Sequence, residues 1–129
     1  MIEPDPAVDA LAKAAIGAAI EVHSLLGAGF LESVYEQALA VELGLRGIPF
    51  QRQHPIALTY KSELVGEARL DFLIGGELVI ELKAVDAIHP IHHAQVLNYL
   101  KATGLQLGLL MNFNVEQMKD GIKRIVLTR

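Results

Sequence analysis

The sequence predicts an α/β fold, a mixed sheet with helices packed on it, and three observations carry that prediction. Two stretches near the start place apolar residues at helical spacing, and the middle of the chain alternates apolar and polar residues with period two. A further helical stretch then leads into a nearly all-apolar run, 105–111, of the kind that lies at the centre of a sheet. With 129 residues, the chain fits one domain over 1–129 and is long enough to bury a core.

Residues 7–26 form the first expected helix, with Leu11, Ala15, Ala18 and Val22 on one face and Gly27-Ala28-Gly29 stopping it. Residues 30–46 form the second, with Leu31, Val34, Ala38, Leu39 and Leu43 on one side and Gly47 and Pro49 beyond its end. Residues 51–60 read as a strand, followed by a turn at Lys61-Ser62. Two alternating strands, 67–74 and 78–85, then form a hairpin around Gly75-Gly76. Pro90 opens a third helix over 92–102, which Gly104 closes. The run 105–111 is a buried strand, and 124–127 a last short one. The order is α-α-β-β-β-α-β-β.

Composition narrows the function. Just over half of the residues are apolar, yet no run approaches the roughly 18 that a membrane span needs. The acidic, Pro-broken start is unlike a signal peptide, so a soluble, cytoplasmic protein without a membrane partner is expected. Without cysteine there is neither a disulfide framework nor a thiolate metal site. The net charge of −4 argues against general affinity for nucleic acid, which rests on excess Lys and Arg. Any nucleic acid would be handled at a local site, with a bound cation or a partner protein supplying positive charge.

The hairpin carries the chemistry. Glu81 and Lys83 share one face of their strand, and Ile80, Leu82 and Ala84 the other. In the partner strand Arg69 and Asp71 oppose Leu70, Phe72 and Ile74. Both apolar sets must fall on one side of the sheet, which fixes the parity of the register. A two-residue Gly75-Gly76 turn would mix the faces. A three-residue Ile74-Gly75-Gly76 connection with a left-handed glycine pairs Leu73 with Glu77 and Asp71 with Val79. Asp71 then lies diagonally from Glu81, with Lys83 on the same surface. Two neighbouring carboxylates repel unless a cation sits between them, and oxygen ligands suit Mg²⁺ or Mn²⁺. The alternative is plain pairing of Lys83 with Asp71 or Glu81 on a solvated face.

Several motifs in order resemble the GxxExxY protein family: Gly29-Phe30-Leu31-Glu32-Ser33-Val34-Tyr35, Arg69-Leu70-Asp71-Phe72, Glu81-Leu82-Lys83-Ala84, residues 94–101 and residues 108–113. The family is grouped with PD-(D/E)xK nuclease-like proteins. The resemblance covers about residues 14–126 and implies a restriction-endonuclease-like αβββαβ core, an α+β arrangement of mixed sheet flanked by helices. It implies metal ligation by Asp71, Glu81 and the Leu82 carbonyl, with Lys83 as the catalytic lysine. Glu32 matches the helical acidic residue that completes such sites. Gln95 and Tyr99 resemble the Gln-x-x-x-Tyr helix motif of RecB-like nucleases and share a helix face. With Tyr35 they are the expected substrate contacts. Leu70 stands where the name-giving motif has Pro.

Each candidate has a plainer reading. Glu32 suits a first helical turn for its dipole alone. Tyr35 and Tyr99 would serve equally as half-buried tyrosines with satisfied hydroxyls. Glu36, one turn after Glu32, either supports the site from behind or lies at the surface, and the surface is expected. His89, His92 and His93 invite a zinc reading, but Pro90 sets His89 before the helix, so histidines beside a substrate mouth are the better expectation. Lys119, Lys123, Arg124 and Arg129 form a basic cluster that a solvated face explains, with contact to phosphates as the alternative. The expected function is a Mg²⁺- or Mn²⁺-dependent phosphodiesterase acting on nucleic acid. The alternatives are a module of the same fold acting with a partner protein, and an interaction domain, for example of a homodimer, with a vestigial site.

Overall fold

The computed structural model describes residues 4–128; Arg129 of the expected basic cluster lies outside them. Helix α1 spans Pro6–Leu26, where the Asp5 carboxylate accepts from the Ala7 N–H at 2.8 Å and Pro6 takes the first helical position. Helix α2 spans Glu32–Leu45, strand β1 Phe50–Tyr60, β2 Glu63–Ile74 and β3 Leu78–Lys83. Helix α3 spans Pro90–Thr103, followed by β4 Leu107–Asn112, a short 3₁₀ turn Met118–Gly121 and β5 Ile122–Val126. The expected element order is observed. The 3₁₀ turn is additional, and β2 begins four residues earlier than its alternation indicated, which makes β1–β2 a long arm.

The five strands form one sheet in the order β1-β2-β3-β4-β5. Only β3 and β4 run parallel, because α3 carries the chain between them across one face. Helices α1 and α2 pack on the opposite face, against Phe72, Ile74, Leu78, Ile80, Leu82, Leu109 and Met111. Leu73, Val79 and Leu110 turn to the α3 face and meet Val96 and Leu100. Gly108 in β4 lets α3 come this close, since a Cβ there would lie 2.7 Å from the Val96 side chain. Among the described residues no helix is long and apolar enough to cross a membrane.

The β2–β3 connection has the expected odd length but different residues. It consists of Gly75, Gly76 and Glu77, the two glycines at φ 57° and 73°, while Ile74 stays in the ladder opposite Leu78. Leu73 therefore pairs with Val79, not with Glu77. The reason is burial: Ile74 is fully enclosed against α1 and α2, and spending it in the turn would expose it. The slip is by two residues, so the side chains of the paired positions Phe72–Ile74 and Leu78–Ile80 keep their expected faces.

One apolar residue breaks that pattern. Leu70 packs with the α3 cluster, whereas Phe72 packs against α1 and α2. In β1, Phe50 and Ile56 divide between the two faces in the same way. The β1–β2 ribbon therefore rolls over between these residues, beside Asp71.

Candidate functional site

The β2–β3 ladder ends at the pair Phe72 and Ile80. One step further the same register sets Asp71 directly across from Glu81, closer than the expected diagonal. Here side chains replace the backbone ladder. The Asp71 N–H donates to Glu81 Oε1 at 3.0 Å, and the Leu82 N–H donates to Asp71 Oδ2 at 2.8 Å. Each carboxylate is thus held by the backbone of the opposing strand, and its orientation follows from the sheet itself.

Glu81 is buried, at 4% exposure. Burial, then the facing charge of Asp71, pushes its carboxyl up to about 8; the Asp71 N–H and Lys83 act the other way and are outweighed. Lys83 is half-buried and, among the described residues, makes no ion pair with either carboxylate. The plain-pairing alternative is therefore not what the chain adopts. Glu32, the first residue of α2, stands on the exposed rim. Partial burial and the charge of Asp71 raise its carboxyl, with Lys83 opposing. Among the described residues no three of His, Asp or Glu converge as a ligand group, while the charges of Asp71 and Lys83 both act on Glu32.

Helix α3 brings Gln95 and Tyr99 to this face. The Gln95 Nε2 donates to the Tyr99 hydroxyl at 2.9 Å, and both line a cavity of about 490 Å³ with Lys83, His92, Ile91 and Leu58. Burial raises the Tyr99 hydroxyl above its ordinary value, and the charges of Glu81 and Asp71 add to the shift. His92 lines the same cavity, its Nδ1 accepting from the His89 N–H at 3.0 Å. Partial burial, then Lys83 and His89, hold its imidazole below the ordinary value.

Tyr35 is elsewhere. It is fully buried, its ring stacked on Phe113 with centroids 4.7 Å apart. Its hydroxyl donates to the Gly27 carbonyl at 2.6 Å and accepts from the Phe30 N–H at 3.1 Å. It fastens the loop that launches α2, and so places Glu32; it has no surface left for a substrate.

Three residues belong to the site's surroundings, and of these only Glu36 was weighed for it from the sequence. Glu36, expected at the surface, is half-buried and accepts from Arg52 at 2.9 Å and from Gln53 at 2.7 Å. Gln53 also donates to Asp71 Oδ1 at 3.2 Å. Buried Asn112 exchanges hydrogen bonds with both backbone groups of Val85, at 3.1 and 2.9 Å, and so fixes the chain where it leaves β3 just after Lys83. A Gln in a polar run and an Asn ending a strand carry no local mark of these roles.

The family model for the PD-(D/E)XK nuclease superfamily matches residues 9–125, from α1 to β5. The chain belongs to that superfamily. The mixed sheet with its three helices is accordingly a restriction-endonuclease-like PD-(D/E)XK fold. No curated protein and no solved structure matches the chain. Superfamily membership suggests a nuclease-like function and accords with divalent-metal use, which is general among PD-(D/E)XK nucleases.

Proposed function

We propose that this PD-(D/E)XK domain, of the GxxExxY branch, is a Mg²⁺- or Mn²⁺-dependent phosphodiesterase acting on nucleic acid. The supporting observation is the pair Asp71 and Glu81, facing each other across the end of a ladder with no cation bonded to either among the described residues. An acid lifted to about 8 by burial and then by a facing carboxylate is a site short of positive charge, so the donor set fits a divalent ion. Asp71, Glu81 and the Leu82 carbonyl would hold it, with Glu32 adding negative charge from the rim. Such an ion supplies Lewis acidity toward a phosphoryl oxygen and lowers the pKa of water.

The remaining work falls to the chain. Lys83, whose ammonium makes no ion pair among the described residues, stabilises charge that develops on the phosphoryl group. Gln95, Tyr99 and His92 bind and orient the nucleotide next to the scissile phosphate, within the cavity that Lys83 also lines. The test is turnover by the purified protein on single- and double-stranded DNA and RNA with Mn²⁺, and its loss with EDTA. Lys83→Ala should still bind Mn²⁺ but lose roughly 10²–10³-fold in kcat. Glu81→Ala should lose binding and turnover together. Absence of both Mn²⁺ binding and cleavage in the wild type would rule the proposal out. The net charge of −4 favours a second reading, a module of the same fold and site that acts only with a partner protein. Mn²⁺ binding without turnover by the isolated chain would select it.

A further inference from the structure

Gln53 lies in the middle of β1 with φ 49°, a left-handed backbone that a non-glycine residue rarely adopts inside a strand. The ladder to β2 is in register on both sides, Arg52 opposite Phe72 and His54 opposite Leu70. No inserted residue therefore explains the kink, and it falls where the β1–β2 ribbon rolls from one face of the sheet to the other. Its side chain leaves toward the acidic pair. One amide nitrogen, which carries two hydrogens, donates to Glu36 Oε1 at 2.7 Å and to Asp71 Oδ1 at 3.2 Å. Glu36 is anchored in turn by Arg52 at 2.9 Å, and Arg52 also bonds Gln37 at 3.0 Å.

We infer that Gln53 is a positioning residue, held by Glu36, that sets the Asp71 carboxylate for a divalent cation. This rests on the metal reading proposed above. With Gln53 on Oδ1 and the Leu82 N–H on Oδ2, both oxygens of Asp71 are fixed in rotation. The bridge is also neutral. A Lys or Arg in its place would satisfy the same carboxylates but supply the positive charge that the cation is to bring, competing with it. A neutral donor orients Asp71 and leaves its charge available. Strained backbone conformations that persist in folded proteins cluster at such sites, because only there does the surrounding structure hold them for a use. If the kink served only to roll the ribbon, glycine would do it without strain, and the amide would be dispensable.

Gln53→Gly separates the two roles, since it keeps the left-handed backbone and removes the amide. Mn²⁺ affinity by calorimetry and melting temperature in EDTA are measured for the wild type, Gln53→Gly and Glu36→Gln. Gln53→Gly should melt no lower than the wild type without metal, yet bind Mn²⁺ about 10–100-fold more weakly, the usual effect of removing a residue that orients a ligand. Glu36→Gln should weaken binding in the same direction by less. Wild-type Mn²⁺ affinity in Gln53→Gly would overturn the inference. Should that variant fail to fold, wild-type affinity in a folded Glu36→Gln overturns it instead. A wild type that binds no Mn²⁺ overturns the metal reading and this inference with it, an outcome distinct from loss of the Gln53 role alone.

Discussion

The two ends of the β2–β3 pair are built from the same strands but held together by different means. At the turn end, Leu73 and Ile74 face Val79 and Leu78 in a regular ladder, with fully buried Ile74, Leu78 and Ile80 beneath α1 and α2. At the open end, two carboxylates take the place of backbone acceptors, and the bonds run from Asp71 N–H to Glu81 and from Leu82 N–H to Asp71. The apolar end contributes stability. The acidic end detracts from it, because a carboxyl raised to about 8 by burial, and further by a facing charge, opposes folding whenever it ionises. The strong end carries the weak one, and the weak one is where a cation would be useful.

The largest expected effect lies at the apolar end. Phe72 is fully buried and is the last ladder residue before Asp71. Phe72→Ala should lower unfolding free energy by about 3–5 kcal/mol in urea titrations, through lost burial and the cavity left behind. A loss under about 1 kcal/mol would mean that this end does not carry the hairpin.

A smaller effect of opposite sign belongs to Glu81. The folded chain keeps its Glu81 proton up to about pH 8, whereas the unfolded chain releases it near 4.5. Between those values the folded state binds more protons, so stability from this group is fully present below 4.5 and is lost as pH rises to about 8. In EDTA, Glu81→Gln should remove that slope. It should match the wild type near pH 4.5 and exceed it above pH 8 by on the order of a few kcal/mol. Denaturant titrations across pH check this, and a wild-type slope that survives the substitution would refute the cause. Adding Mn²⁺ at pH 8 should narrow the gap, because an ion that binds only the folded wild type raises its stability.

How much of this was legible follows the same division. Apolar periodicity placed the helices and strands, and the rule that both apolar sets face one way placed Asp71, Glu81 and Lys83 on one surface. Parity is robust because burial enforces it, and it survived a two-residue slip. The slip itself was not legible, because keeping Ile74 in the ladder depends on the pocket that α1 and α2 make for it. Leu70 and Phe72 look alike in an alternating strand, yet they part to opposite faces at the roll beside Gln53. A positive φ at a glutamine leaves no trace in a polar Gln-Arg-Gln-His run. Tyr35 was ambiguous on chemistry alone, and the Gly27–Phe30 loop decided it for the core.

The smallest effect sharpens the comparison from the far half of β2. Glu67 sits on the same strand as Asp71, also beside a basic residue, with Arg69 at 3.7 Å. Its surroundings differ in every respect that matters: both side chains are more than half exposed, at 58% and 61%, and water screens their attraction. An exposed pair at that separation contributes little after the entropy of holding two flexible side chains. Glu67→Gln should therefore change unfolding free energy by less than about 0.5 kcal/mol, with no dependence on Mn²⁺. If Glu67→Gln instead reproduced the pH slope or the Mn²⁺ response assigned to Glu81, those effects would reflect the net negative charge of −4 and not the buried pair. Burial and a facing carboxylate, not the number of acids on the strand, are what set the open end apart.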